Sequence, residues 1–479
     1  MPEPFGDRFI NLMEPRYAVQ GADLSARLIE ALRVGPGGGP LTIYLAGALV
    51  LADTVEVPER CLWFMGPGGS VSLRRGARLD VLGAVDLGFE PRFFVDGGAR
   101  VRLLGPLEVI RPEWWIGPAD EQLRLAVELV AERARQRREA AAIRLLGPYV
   151  LRYAIDLTRA ADGQEIAFEF QGRHPVGDSV LSPTLIRGPE MNATDPLVVA
   201  QDVGPVRFER VAFDTTTSDE REPDPLALAP AVDAWRGAAT LDFVRCTFFG
   251  VKGVAVATRA TGDARRVTAR ECWFQVGTTV RLGQFGVRCS GDTRLRLDGC
   301  TFVGRSYSMI EVISGMVDAV GCLFDNQDDS VDPGADLRVV DPAPAFRLIE
   351  NGGTFKTTDG DASRVAGPDV RVDWVQINLT HVRTRSLRHL MSSRVKRPTT
   401  VSLTGVVQES PIADPLRRSV PAAVHWEARL TNSMLLQGCH FTGPISVPRP
   451  GSLLVVGTLL DGVPATLGDT VVSWRYPVT

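Results

Sequence analysis

The chain has 479 residues, 44% apolar and 23% charged, and its net charge of −4 argues against nucleic acid as a partner. Its 47 glycines and 33 prolines point to a turn-rich, mostly β protein. The seven cysteines show no CxxC or Cys/His spacing, so no metal motif is read from them.

Residues 1–20 read as an N-terminal arm. They carry Glu3, Asp7 and Glu14 and no long apolar core, unlike a secretory signal peptide. The expectation is a protein made in the cytoplasm, leaving it by lysis, by a non-classical route or on a larger particle. The longest strongly apolar run, Ile43 to Ala52, falls far short of the roughly 20 residues that cross a bilayer, so no membrane partner is expected.

Residues 21–117 are expected to hold a first capping helix and early strands. Asp23 is placed to N-cap a helix carrying Leu24, Leu28, Ile29 and Leu32. The glycine-rich stretches 35–40 and 66–69 lack a following Gly-Lys-Ser/Thr and read as turns. Residues 118–160 are expected to hold a second helix and a returning strand. Over 119–141, Leu123, Val127 and Val130 share one helix face, with Arg133, Arg135, Arg137 and Arg138 solvated. The segment 42–51 returns at 142–151: Ile43/Ile143, Leu45/Leu145, Gly47/Gly147, Val50/Val150 and Leu51/Leu151 coincide. Each copy follows a helix-like segment, a candidate cap for the open end of a solenoid.

A short phrase then recurs: one residue, Cys or Val, a variable residue, and Phe. It stands at 210–213, 245–248, 271–274, 299–302, 321–324 and 438–441, and the first five copies start 35, 26, 28 and 22 residues apart. Such periods mean a solenoid. Cys and Phe two apart share one strand face, so stacked coils would line up thiols and rings inside. Disulfides fit poorly, because side chains on adjacent coils run parallel rather than toward each other. Cys61 and Cys289 lie outside the pattern. The expected fold is all-β: a right-handed parallel β-helix with short N-terminal capping helices. Residues 161–345 are its regular coils, with an excursion at 215–230. Residues 346–479 continue it less regularly, with strand-like stretches at 370–379, 400–407, 434–447 and 453–460.

Pro112-Glu113-Trp114-Trp115, Gly117, a helix, and Ile143-x-Leu-Leu-Gly-x-Tyr-Val-Leu together resemble the N-terminal opening of bacterial and phage pectate-lyase-like β-helix proteins, a group with tailspike-like members. The resemblance implies the fold; the long flat faces and groove of such a fold suit a polysaccharide partner and side-by-side packing into a homotrimer, or attachment to a larger particle. The resemblance also implies that Trp114 and Trp115 pack the junction between the first coils and the second helix. The chain departs from the group: Gly117-Pro-Ala-Asp-Glu121 replaces Gly-Asp-Gly-x-x-Asp-Asp-Thr, and Ile116 is inserted. Of the motifs of polygalacturonase-like hydrolases only Asp328-Asp329 and Arg394-Val-Lys396 remain, without Gly-His-Gly. No catalytic residue carries over, and fold alone does not give function.

Three candidate sites follow. Asp325, Asp328, Asp329, Asp332 and Asp336 could supply an acid and a base for a glycosidic bond, with Asp325, Asp328 and Asp329 the catalytic candidates, or oxygens for Ca²⁺; the same residues suit a surface turn. Arg383, Arg385, Arg388, Arg394, Lys396 and Arg397, with His381 and His389, could bind an anionic glycan or phosphate, or form a solvated coil face. Trp273 takes the outward position of its phrase and could stack on a sugar. His174, His425 and His440 have no partner at meaningful spacing. The functional expectation is a carbohydrate-interacting β-helix, non-catalytic or weakly catalytic and tailspike-like. The alternatives are a polysaccharide lyase or glycoside hydrolase on an acidic polysaccharide, and a structural scaffold of a larger particle.

Overall fold

A computed structural model describes residues 9–12, 25, 28–29, 32, 40–138, 140–172, 185–216, 229–234, 240–250, 252–257, 266–276, 285–290, 293–304, 308–312, 316–326, 335–339, 347–351, 354–356, 368–372, 376–380, 383–385, 389–393, 400–408, 424–426, 433–441, 445–446, 452–460 and 463–464. The chain forms two compact units, Met1–Val150 with Ile155–Gln171, and Leu151–Ala154 with Gly172–Thr479. Its strands wind as a right-handed parallel β-helix with three faces: among the described residues the early coils form sheets of four, three and three strands, and the later coils form a first, second and third sheet of 13, 13 and 11 strands.

In the first unit, Leu41–Leu45, Ala48–Leu51 and Thr54–Val57 make one coil. Cys61–Met65, Ser70–Leu73 and Arg78–Val81 stack on it in parallel register. Burial alternates as the sequence pattern requires: Leu41, Ile43 and Leu45 point inward and are buried, while Thr42 and Tyr44 are half-buried. The returning segment repeats the pattern, with Ile143, Leu145 and Leu151 buried and Val150 exposed. Glycine is required where coils meet closely: a Cβ on Gly83 would lie 1.8 Å from the Cys61 carbonyl oxygen, and one on Gly105 would lie 1.8 Å from that of Gly83.

Helical residues stand at both expected positions. Ser25, Leu28, Ile29 and Leu32 are helical, and the Ser25 hydroxyl accepts the N–H groups of Ala52 (2.9 Å) and Asp53 (3.1 Å). Leu28 and Leu32 are buried, but Ile29 is 44% exposed and does not belong to the packed face. Asp23 and Leu24 lie outside the described residues. The second helix, Ala119–Arg137, begins with Asp120 and Glu121 and ends with Arg135 and Arg137, matching the helix dipole at both ends. Leu123, Val127 and Val130 are buried as expected.

Arg133 is the correction. Instead of being solvated it is 0% exposed, and its guanidinium donates to the carbonyls of Leu103 (2.6 Å), Gly105 (2.5 Å) and Leu107 (3.3 Å). Where the strand Arg100–Leu103 ends, its unpaired carbonyls need donors, and a long cationic side chain with five N–H groups supplies them. Trp114 and Trp115 pack as expected. Trp115 is buried and bridges Phe93, Trp114 Nε1 donates to Gly88 O (3.1 Å), and the helix residue Gln122 donates to Trp115 O (2.8 Å).

In the second unit the recurring phrase is a corner. At eight described corners a strand of the first sheet is followed by one residue in the left-handed region, one buried residue, and then a strand of the second sheet. The corner residues Arg210, Arg245, Glu271, Gly299, Gly321, Gly405, Gly438 and Gly457 have φ between 52° and 63°. The N–H groups of Arg210, Arg245, Glu271, Gly299, Gly405 and Gly438 remain in the ladder; Arg245 donates to Arg270 O and Glu271 to Asp298 O, each at 2.8 Å. Cys246, Cys272, Cys300 and Cys322 stack behind this corner, buried, and all seven cysteines are free thiols. The Cys246, Cys272 and Cys300 thiols donate to carbonyls of Phe208 (3.3 Å), Phe243 (3.5 Å) and Ala269 (3.3 Å).

The phenyl rings form the second column. Phe213, Phe248, Phe274, Phe302 and Phe324 stack at centroid distances of 4.7, 4.6, 4.6 and 5.1 Å, within 10° of parallel. The column is as close as one inter-strand spacing allows.

The β-helix continues to the C-terminal strands, as expected, but with different boundaries. The stretch 370–379 is two strands in two sheets, Pro368–Val372 and Gln376–Thr380; likewise 434–447 is Ser433–Gln437, His440–Phe441 and Ile445–Ser446. A buried strand and a corner of small residues look alike in hydrophobicity, which hides the turn between them. Gly405-Val406 and Gly457-Thr458 are corners without Cys-x-Phe, with Val406 and Thr458 buried. The excursion at 217–228 lies outside the described residues.

Candidate functional surface

Strand register decides which distant residues become neighbours. In the second sheet of the second unit, the positions that alternate along the strands with the phenyl column align by register in two rows. The first runs Thr247, Trp273, Thr301, Leu323, Thr354, Arg383, Val407 and His440. The second runs Asp214, Phe249, Gln275, Val303, Asp325, Lys356 and Arg385. Between these rows lies the inward phenyl column.

Four of the sequence-selected residues, Trp273, Asp325, Arg383 and Arg385, therefore fall on one sheet. At about 4.8 Å per coil, Trp273 and Arg383 are four coils apart, roughly 19 Å along the sheet. Asp325 and Arg385 are two coils apart in one row, roughly 10 Å, with Lys356 between them. Trp273 is half-buried at its outward position and Gln275 beside it is exposed. Lys356 escaped sequence reasoning, because it stands alone in its own segment and joins the cations only through register.

The remaining candidates are not gathered there. Asp336 lies on Ala335–Val339, a strand of the third sheet, whereas Asp325 lies on Leu323–Asn326 of the second. His389 begins a third-sheet strand and His425 sits on another. Asp328, Asp329, Asp332, Arg388, Arg394, Lys396, Arg397, His174 and His381 lie outside the described residues. Among the described residues no group of three or more His, Cys, Asp or Glu is placed to hold a metal ion. No helix among them is long and apolar enough to cross a membrane.

Charge is arranged differently on the neighbouring first sheet. There Asp242 pairs with both Arg207 (3.5 Å) and Arg270 (3.1 Å), and the corner residues Arg245 and Glu271 pair at 2.6 Å. Asp242 thus meets an arginine from the coil on either side of it. The second-sheet rows instead bring three cationic residues, Lys356, Arg383 and Arg385, onto two adjacent coils, with Asp325 one coil before them and Asp214 four coils farther back.

No family model matches the sequence, and no curated protein matches it. Solved structures with some similarity include a double mutant of the tailspike protein of E. coli bacteriophage HK620, with 9% identity, 95% of this chain and 79% of that chain covered, and a TM-score of 0.34. A second mutant of that tailspike has 10% identity, 95% and 80% coverage and a TM-score of 0.27. A Yersinia enterocolitica family 28 exopolygalacturonase has 9% identity, 96% and 79% coverage and a TM-score of 0.17. Scores this low carry no argument about activity. The chain is a right-handed parallel β-helix on the strength of its own strand order and register.

Proposed function

We propose that the chain binds an extended polysaccharide along the outward rows of the second sheet in its C-terminal unit, without cleaving it. One observation carries this reading: register brings Trp273, Asp325, Lys356, Arg383 and Arg385 from four separate coils onto one sheet. An indole offers a platform for an apolar sugar face, and the cations suit carboxylates or sulfates repeated along a polymer. Rows repeating every ~4.8 Å are commensurate with a linear chain lying along the helix axis. The non-catalytic part of the reading rests on spacing: among the described residues the carboxylates of these rows, Asp214 and Asp325, stand four coils apart, roughly 19 Å, too far to act as a hydrolytic pair.

The test is binding of acidic and neutral polysaccharides by calorimetry, with reducing ends and unsaturated uronates followed in the same samples. Trp273→Ala and Arg383→Glu should each weaken binding of an acidic polymer at least tenfold, and no product should accumulate. Product formation that Asp325→Asn abolishes would instead establish an enzyme.

A further inference from the structure

The N-terminal unit carries an open groove of about 450 Å³. Its volume is within the range of small-ligand clefts. Parallel register builds it. Val50, Ser72 and Phe94 align as one outward column on three successive coils. Ile116 adds a fourth step, its N–H donating to Phe93 O at 2.9 Å. Two residues farther along the strands lie Arg74 and Asp96, on adjacent coils; their N–H groups donate to Leu51 O (2.9 Å) and Leu73 O (3.0 Å).

The result is a small lattice, about 4.8 Å between coils and about 7 Å between columns. Phe94 is 44% exposed and Ile116 40%, a large cost in water for an apolar pair side by side. The Arg74 guanidinium has no partner among the described residues. Asp96 commits one carboxylate oxygen to the Gly97 N–H (2.8 Å), and its other oxygen has no partner among the described residues.

We infer that this groove is a second saccharide site, which takes a neutral hexopyranose residue. The apolar face of the ring lies on Phe94 and Ile116. Neighbouring hydroxyls donate to Asp96 and accept from Arg74, a division of roles that an acceptor-only carboxylate and a donor-only guanidinium impose. One cation and one anion leave the groove without net charge, so it selects hydroxyls over a charged group. This separates it from the cationic rows of the second sheet, although it rests on the same view of the chain as a glycan binder.

The experiment is saturation-transfer NMR on the full chain with methyl hexopyranosides, neutral oligosaccharides and methyl uronates, beside calorimetry with an acidic polysaccharide. Transfer should appear for the neutral sugars and be lost in Phe94→Ala. Arg74→Ala and Asp96→Asn should each weaken binding at least tenfold with unchanged melting temperature, as expected for side chains at the surface. Undiminished transfer in all three variants overturns the assignment, as does a preference for uronates. A native chain that binds the acidic polymer but no neutral sugar overturns this site alone; one that binds neither overturns the wider reading as well. If the native chain self-associates, binds no neutral sugar, and becomes monomeric with Phe94→Ala, the groove is a protein interface and the inference fails.

Discussion

The Glu113 carboxylate accepts the hydroxyl of Tyr149, and the same Oε1 accepts the N–H of Leu146 at 3.2 Å. One contact thus joins the Pro-Glu-Trp-Trp phrase to the Gly-x-Tyr turn, the two motifs between which the helix Ala119–Arg137 is inserted. The bond holds the returning strand against the first coils within the N-terminal unit. Tyr149→Phe leaves a partly buried carboxylate short of a donor and should cost about 1–3 kcal/mol in denaturant unfolding.

The same pair shapes the alkaline response. Burial, and next the bond to Glu113, raise the Tyr149 phenol above its ordinary value. A group raised on folding contributes stability in full below its unfolded value, near 10. That contribution falls as pH climbs above it. Melting temperature followed from pH 8 to 11 should therefore decline less steeply in Tyr149→Phe than in the native chain; parallel curves would contradict the assignment.

Replacing Arg133 tests the buried cap. Arg133→Leu keeps the helix former and much of the apolar stem but removes the donors to Leu103, Gly105 and Leu107. The expected loss is about 3 kcal/mol in chemical unfolding, since buried carbonyls are left unsatisfied. Were Arg133 merely a solvated helix residue, the change would be near zero.

The corners give a backbone experiment free of packing effects. A Cβ on Gly321 meets nothing within 4 Å, yet its φ is 63°. Gly321→Ala should cost about 1 kcal/mol and Gly321→Val more, measured by thermal or urea unfolding, because only the left-handed backbone is penalised. Glu271→Gly, at φ 52°, should be neutral or stabilising, the relieved strain offsetting its exposed pair with Arg245.

Thiol reactivity reads the interior column directly. Burial pushes Cys289 up to about 12 and raises Cys61, Cys272 and Cys439; Cys300 and Cys322 are raised first by hydrogen bonds along the thiol ladder and then by burial. At pH 8 the native chain should show no fast-reacting thiol toward an aromatic disulfide reagent, and all seven should react in denaturant. A rapid native reaction at Cys272 or Cys300 would mean that the column is open.

The repeated Cys-x-Phe phrase, the alternating strands and the glycine-rich turns were enough to define the β-helix from sequence, because a stacked coil imposes the same inward chemistry at the same place in every turn. Trp273 could be read as outward for the same reason. Arg133 could not be read as buried, since a helical arginine looks solvated until an unpaired strand end is set against it. Nor could Lys356 be grouped with Asp325 and Arg385: loop lengths between coils vary, so sequence distance does not reveal which outward residues align. Interior pattern is local and repeats along the chain, whereas the surface is assembled across coils by hydrogen-bond register, and only the tertiary structure contains that register.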